Sequence, residues 1–349
     1  MDTRISRRWT LISHPTGTPS ADNFSFDEVI VPDLGANEVL LQNMYISIDP
    51  GQRVYISAEA GARLGAAVHG WAVGRVIASN SDKYPVGSFA QDRLGQAGVQ
   101  SLSVVAAKNL LQVPSGANLP TRLGALGMPG LTAYFGMMDV IQPKAGETVL
   151  ISGAAGAVGA IAGQIARIKG CRVVGIVGGK DKARYITAEL GFHDSIDHRE
   201  GPLAESLAEH CPAGVDALFD NVAGDLVDAC LPHMRMKGRI AFCGAVSSYN
   251  AGGGGLKNYF QLLIRQLRWQ GFYVGAYEDR FEAAIAEMSE WVDSGELRHR
   301  EDIELGIERF PEIFLKVFDR ERFGKLVLQV DPGLAQSSRT NSWRTLKAK

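Results

Sequence analysis

One stretch constrains this chain more than any other: residues 149–170, VLISGAAGAVGAIAGQIARIKG. An apolar run at 149–151 leads into the glycine turn Gly153-Ala-Ala-Gly-Ala-Val-Gly159, then an apolar segment at helical spacing, then a second apolar run at 172–177. Strand, glycine turn, helix and strand in that order predict a βαβ unit that holds a dinucleotide pyrophosphate at a helix N-terminus. The first glycine of the usual GxGxxG pattern is replaced here by Ala154, so the motif alone is weak. Its setting strengthens it, because a strand precedes the turn, a helix follows it and a second strand comes about 20 residues later. Gly156 would let the backbone approach the pyrophosphate, and Gly159 would let helix and sheet pack closely. The competing reading is a tight turn with no ligand.

The segments around this unit fall into two kinds. Up to about residue 120, short strands are broken by Gly, Pro, Asn and Asp, as at 28–31, 38–48, 70–78 and 100–105, which points to a β-rich barrel or sandwich. Beyond residue 121, apolar strands at 148–152, 172–176, 194–197, 217–221, 239–242 and 268–273 alternate with helical periods. Those periods lie at 157–169, 182–189, 203–210, 226–234, 257–266 and 280–294. Such alternation predicts a doubly wound parallel α/β sheet. A segment at 303–307, a helix at 311–319 and a strand at 325–330 are expected to return to the first domain. The tail from 332 to 349 is polar and basic, and is expected to be frayed or disordered.

The end of the second strand separates two cofactor choices. An NAD site commonly places a carboxylate there for the ribose 2′-OH. This chain has Gly178-Gly-Lys180-Asp-Lys182, with Arg184 beyond, so small residues leave room and cations can neutralise a 2′-phosphate. NADP(H) is the expectation, against a solvated, charged helix start.

Composition narrows the chemistry. A formal net charge of −2 over 349 residues gives no reason to expect nucleic acid or an anionic membrane as partner. No apolar run approaches the roughly 20 residues a bilayer requires, and the N-terminus lacks the apolar centre of a secretory signal, so a cytoplasmic protein is expected. The four cysteines, at 171, 211, 230 and 243, form no CxxC pair and are expected to be buried, inert thiols. Residues 1–150 hold no cysteine and only His14 and His69, so no catalytic or structural zinc site is expected. Without a Lewis acid, the expected acceptor is already electrophilic: a conjugated C=C–C=O group, whose enolate needs only hydrogen-bond donors. Tyr249 follows the strand at 239–242, precedes the glycine run 252–255, and is the candidate donor; the alternative is a tyrosine packed under a loop.

Several motifs together resemble the zinc-independent alkenal/prostaglandin reductase subgroup of the medium-chain dehydrogenase/reductases. They are Met128-Pro-Gly-Leu-Thr-Ala-Tyr134, the glycine turn, Phe219-Asp-Asn-Val-Ala-Gly224, Cys243-Gly-Ala-Val-Ser-Ser-Tyr-Asn250, Gln270-Gly-Phe-Tyr-Val274 and Phe323-Gly-Lys-Leu-Val-Leu328. The likeness runs over about residues 5–331. It implies a Rossmann-type domain at 125–295 and a GroES-like β-rich substrate domain at 1–124 and 296–331.

The resemblance also implies a cofactor site. Gly153, Ala154, Gly156, Ala157, Val158 and Gly159 would hold the pyrophosphate, with Gly178, Lys182 and His198 at the adenosine end. Asn221, then Cys243, Gly244, Ala245, Val246, Ser247 and Ser248, would line the cofactor, with Phe272, Tyr273 and Val274 beside the nicotinamide. Arg322 stands where relatives have an asparagine that reaches the cofactor. Tyr249 matches the family tyrosine near the nicotinamide ribose and the substrate carbonyl, and Gly51, Val99, Tyr134 and Tyr249 would line the substrate pocket. Gly51 and Val99 depart from the tyrosine and tryptophan common at those positions, and the loop after Tyr249 is glycine-rich rather than proline-rich.

The expected activity is therefore NADPH-dependent reduction of the activated C=C bond of α,β-unsaturated aldehydes or ketones. Quinone reduction, allylic-alcohol dehydrogenation and a non-catalytic NADPH-binding role are the alternatives. His193, Asp194, Asp197 and His198 read as a polar strand edge rather than a metal cluster. The amphipathic segment 256–269 reads as a packing or subunit face, and a homodimer is expected.

Overall fold

Six parallel strands carry the glycine turn. In the computed structural model, which describes residues 4–250, 255–319, 322–331 and 333, they lie in the order Asp194–Asp197, Arg172–Val177, Thr148–Ser152, Val215–Asp220, Met234–Phe242, Arg268–Gly271. The chain starts in the middle of the sheet, works outward to one edge, then crosses to the other, which is the doubly wound order that opens a crevice beside the first strand. Both faces are covered. Val149 and Ile151 turn to one apolar cluster with Ile161, Ile165, Phe281 and Met288, while Leu150, between them, turns to another with Val174, Leu218 and Ile240. Burial on both faces is why these strands read as continuous apolar runs.

A separate mixed sheet lies beside it. Its order is Glu301–Leu305, Lys325–Gln329, Glu38–Ile48, Ala72–Ser79, Phe89–Asp92, Leu110–Val113, with Leu102–Ala106 also paired to Glu38–Ile48. Lys325–Gln329 runs antiparallel to Glu38–Ile48, with Leu326 opposite Ile48, so the last described strand joins the first strand of a sheet begun almost 280 residues earlier. A hairpin of Ile5–Leu11 and Phe24–Ile30 completes this part. Among the described residues, no helix is long and apolar enough to cross a membrane.

Two helices are shorter than their periodicity predicts. The helix expected at 226–234 is Gly224–Cys230, then a 3₁₀ turn at Leu231–His233 containing Pro232, and the next strand already begins at Met234. Proline cannot donate within a helix interior. The helix expected at 257–266 is reduced to Phe260–Ile264. The backbone N–H groups of Lys257 and Asn258 donate instead to Asp228 Oδ1 at 2.9 and 2.8 Å, and Gln266 turns left-handed at φ +53°. The glycine run at 252–254 and the tail beyond 333 lie outside the described residues.

Candidate active site

The glycine turn forms a cradle at the carboxyl edge of the parallel sheet. Gly153 takes φ +58°, which L side chains rarely adopt, and Gly156 caps the helix Ala157–Ile168. A Cβ on Gly159 would lie 2.4 Å from the Gly153 carbonyl oxygen, so only glycine lets the helix sit this close to the turn. Gly156, Ala157, Val158 and Gly159 line a cleft of about 860 Å³, and the first N–H groups of a helix have no acceptor within it. The residues present thus suit a pyrophosphate. Ala154 differs from expectation: it is fully buried beneath the turn, its N–H held by the Ile176 carbonyl at 3.1 Å, and Ala155 faces the cleft instead.

At the far end of the cleft the cations are not those closest in sequence. Lys182 and His198 line it beside Gly178, but Lys180 pairs with Glu200 at 3.3 Å, both largely exposed. Arg199 takes the second position: its guanidinium nitrogens lie 3.0 and 3.4 Å from where Cβ atoms on Gly178 and Gly179 would stand. Gly178 is therefore small because His198 and Arg199 close over it. Sequence reasoning missed Arg199, although it directly follows His198 and a second cation there was the signal available. Arg322 also lines the cleft, held by Asp302 and by Glu304 at 3.5 Å.

The opposite end lies between the two sheets. Asn221 is fixed by the end of its strand: its N–H donates to Ser152 Oγ at 2.8 Å and its amide to the Ser152 carbonyl at 2.7 Å. Ser152 in turn donates to buried Asp220 at 2.7 Å. Tyr249 comes in beside this group, its hydroxyl 3.2 Å from the place of a Cβ on Gly244. Burial raises its pKa, with the Ala245 backbone amide pulling the other way, so at neutral pH the phenol is protonated and able to donate. Cys243, Gly244, Val246, Phe272, Tyr273 and Val274 line the same space. Ala245, Ser247 and Ser248 lie in the turn that carries these residues; Ser247 Oγ donates to the Val222 carbonyl at 2.6 Å.

Facing them are Asp49, Gly51, Val54, Tyr55 and Trp71 of the mixed sheet and its short helix Gln52–Tyr55. Tyr55 stacks on His69 with ring centroids 4.3 Å apart, and Trp71 meets both rings edge-on. Burial pushes the His69 pKa down to about 4, so this aromatic panel is uncharged at neutral pH. Neither Tyr55 nor Trp71 was foreseen.

Two expected pocket residues are elsewhere. Val99 is fully buried in the core of the mixed sheet, its N–H bonded to the Val68 carbonyl at 2.8 Å. Tyr134 points away and donates to Glu287 at 2.5 Å. Its helix, Met128–Phe135, does reach the cleft, but through Met128, Pro129 and Thr132. Tyr134 lies two residues past Thr132, about 200° around the helix and hence on the opposite face.

One unforeseen residue ties the pocket wall to the end of the chain. Lys325 is 3% exposed, and its ammonium meets three acceptors: Asp49 Oδ1 at 3.0 Å and the carbonyls of Ile48 at 2.6 Å and Leu326 at 2.7 Å. Ser47 donates to the other Asp49 oxygen, and the Asp49 N–H donates to Gln52 Oε1 at 2.9 Å. One residue earlier, the Gly324 N–H donates to the Ala155 carbonyl at 2.9 Å, so this strand touches the glycine turn as well.

Cys171, Cys211 and Cys230 are buried and Cys243 partly so, and all four are free thiols. Burial raises each pKa, to about 11 for Cys171. Among the described residues no three His, Cys, Asp or Glu side chains are grouped so as to hold a metal ion. His193 accepts from the Val173 N–H at 3.1 Å, and Asp194 is shared by Arg172 and His210 at 3.3 and 2.9 Å, so the polar residues of this strand edge satisfy one another.

Residues 7–113 match the family model for the N-terminal domain of oxidoreductase, and residues 157–290 match that for zinc-binding dehydrogenase. The chain is 39% identical over 337 residues to NADPH-dependent curcumin reductase of Escherichia coli, covering 93% of this chain and 97% of that protein. It is 36% identical over 332 residues to prostaglandin reductase 1 of Mus musculus, covering 93% and 99%. The crystal structure of CurA in complex with NADPH from Vibrio vulnificus superimposes with a TM-score of 0.86 at 35% identity, over 93% of this chain and 99% of that one.

Proposed function

The chain belongs to the zinc-independent alkenal/prostaglandin reductase subgroup of the medium-chain dehydrogenase/reductases, and from that premise we propose that it is an NADPH-dependent reductase of α,β-unsaturated aldehydes and ketones. The observation that carries this reading is the convergence, in one cleft, of the glycine cradle, a protonated phenol at Tyr249 and an uncharged aromatic wall. Gly156–Gly159 would hold the pyrophosphate, Lys182 and Arg199 the 2′-phosphate, and Phe272–Val274 the nicotinamide side. When bound there, NADPH supplies the hydride that adds at the β-carbon. Tyr249 donates a hydrogen bond to the carbonyl oxygen as negative charge grows on it, which a neutral phenol does without a metal, and the enolate then takes a proton at the α-carbon from water or from Tyr249. The panel of Tyr55, His69 and Trp71 excludes water from the face opposite. In this reading residues 1–124 and 296–331 form the substrate domain and 125–295 the cofactor domain.

The test is an NADPH-oxidation screen over alkenals, cyclic enones, aryl enones and quinones with the products identified. Saturated aldehydes or ketones are expected; hydroquinones or allylic alcohols alone would sink the assignment to C=C reduction. On the best enone, Tyr249→Phe is expected to lower kcat by about 100-fold, the usual cost of one oxyanion donor. Full turnover by that variant would remove Tyr249 from the chemistry.

The cofactor preference has its own check. A charge-assisted hydrogen bond contributes about 1.5–3 kcal/mol, so Lys182→Ala and Arg199→Ala should each lower the NADPH-over-NADH ratio of kcat/KM roughly 10- to 100-fold. NADH turnover should change little. An unaltered ratio in Arg199→Ala would leave the anchor to Lys182 and His198.

The protein is proposed to pair as a homodimer through the Arg268–Gly271 edge of the parallel sheet. That strand has an open side, and beside it Tyr259, Phe260 and Leu263 are 63%, 58% and 69% exposed. Light scattering should give twice the chain mass, and Leu263→Glu should shift it toward one.

A further inference from the structure

Ala223 holds a conformation that side chains avoid. At φ +64° and ψ −163° it lies in a region essentially reserved for glycine, whereas Gln142, also at positive φ, sits in the ordinary left-handed helical well at φ +53° and ψ +64°. Such strain persists only where the surroundings impose it. Here the imposing group is Asp220, fully buried at the end of the strand Val215–Asp220. Its Oδ1 accepts from Ser152 Oγ at 2.7 Å and from the Val222 and Ala223 N–H groups, both at 3.1 Å. Its Oδ2 accepts from the Ala223 N–H as well, at 3.2 Å. These partners are all donors, so an asparagine in place of Asp220 would set an NH2 group against the Ala223 N–H.

The loop held in this way is a wall of the cleft. Asn221 and Val222 line it and lie over the glycine turn, for a Cβ on Gly153 would be 3.5 Å from Asn221 Cβ and 3.6 Å from Val222 Cγ2. The same backbone is laced to the segment that leads to Tyr249. The Asp220 carbonyl accepts from the Cys243 N–H at 2.9 Å, the Asn221 carbonyl from Val246 at 3.3 Å and the Val222 carbonyl from Ser247 at 3.2 Å. We infer that Asp220 is a positioning residue for NADPH: its carboxylate holds Ala223 in the strained conformation, and that sets Asn221 and Val222 against the glycine turn. This rests on the reading of the cleft as the cofactor site. Without the carboxylate, Ala223 relaxes to commoner angles and the wall has to be restored whenever cofactor binds. The cost then falls on affinity rather than on turnover. A glycine in place of Ala223 takes the strained angles freely and removes the need for the carboxylate.

The experiment titrates NADP⁺ by quenching of tryptophan fluorescence into the wild type, Asp220→Asn, Ala223→Gly and the double variant Asp220→Asn/Ala223→Gly, with thermal unfolding of each. Asp220→Asn should bind NADP⁺ about tenfold more weakly. Its KM for NADPH should rise by a similar factor while kcat at saturating NADPH stays within about twofold. Ala223→Gly should melt at or above the wild type, its strain relieved. In the Ala223→Gly background the Asp220→Asn change should cost less than about threefold in affinity. A role in stability alone would lower the melting temperature and leave the dissociation constant of the folded protein where it was, and that result overturns the inference. An equal loss of affinity in both backgrounds overturns it too. If Asp220→Asn alone does not fold, the double variant decides: folding with affinity near that of Ala223→Gly supports the inference, and weak affinity or no folding overturns it. If the wild type binds no NADP⁺, the cofactor reading of the cleft fails and takes the inference with it.

Discussion

Lys325→Met is expected to lower the stability of the folded protein by about 3–5 kcal/mol, the cost of stripping one partner from a buried ion pair. The reason is the completeness of its bonding. An ammonium has three donors, and here all three are taken, by Asp49 and the Ile48 and Leu326 carbonyls. Methionine fills a similar volume but leaves two buried carbonyls without the lysine's protons and Asp49 with Ser47 but no counter-charge. Burial by itself lowers the Lys325 pKa, and Asp49 opposes that, so the pair depends on both members being present. Thermal unfolding should show the midpoint falling by roughly 5–15 °C. The double variant Asp49→Asn/Lys325→Met should lose less than the sum of the single changes, since no unpaired charge is left behind. A midpoint for Lys325→Met within about 2 °C of the wild type would show that the pair is not a keystone.

The second large effect is at the glycine turn. Gly159→Val should abolish NADPH binding within the measurable range, a loss of at least about 100-fold or 2.7 kcal/mol. The added Cβ would stand 2.4 Å from the Gly153 oxygen and 3.0 Å from Ala154 Cα, and these are backbone atoms that cannot swing aside. The helix must move off the turn, which takes its N–H groups away from the pyrophosphate. Gly156→Ala separates fold from binding. Its φ of −80° is open to any residue and its nearest neighbour, the Gly153 oxygen, is 3.3 Å away, so a shift of a few tenths of an ångström admits the methyl, which occupies the cleft wall that Gly156 lines. Unaltered melting with weakened NADPH titration is expected for Gly156→Ala, and lost binding with lowered melting for Gly159→Val. Wild-type affinity in either would contradict the cradle.

The parallel sheet was legible because its information is local. Strands such as Thr148–Ser152 and Arg172–Val177 are short apolar runs with punctuation at both ends, and their bounds follow from adjacent residues. The site was half legible for the same reason. Glycine turn, Gly178, Lys182, His198 and Tyr249 each follow a strand end and so share one edge of one sheet. What escaped was whatever depends on distant partners. Lys325 meets Ile48 across 277 residues, and nothing near either position announces the other. Tyr55 and Trp71 converge only because the mixed sheet folds their segments together. Val99 and Tyr134 failed for a geometric reason: a position close to a pocket in sequence can face the core or the far side of its helix, and composition does not fix the facing.

The antiparallel pairing of Lys325–Gln329 with Glu38–Ile48 also sets a clock on the making of this protein. During synthesis the strand at 38–48 leaves the ribosome almost 280 residues before its partner does. At a translation rate of about 5–20 residues per second it waits some tens of seconds with one edge open. The Rossmann half can meanwhile finish folding from contiguous chain, so the mixed-sheet half is completed last, on a scaffold already in place. A shortened protein lacking the final strand would be expected to keep a cofactor fold yet leave the other lobe gaping, and grafting residues 1–124 from a relative to change substrate choice would require grafting that strand with them.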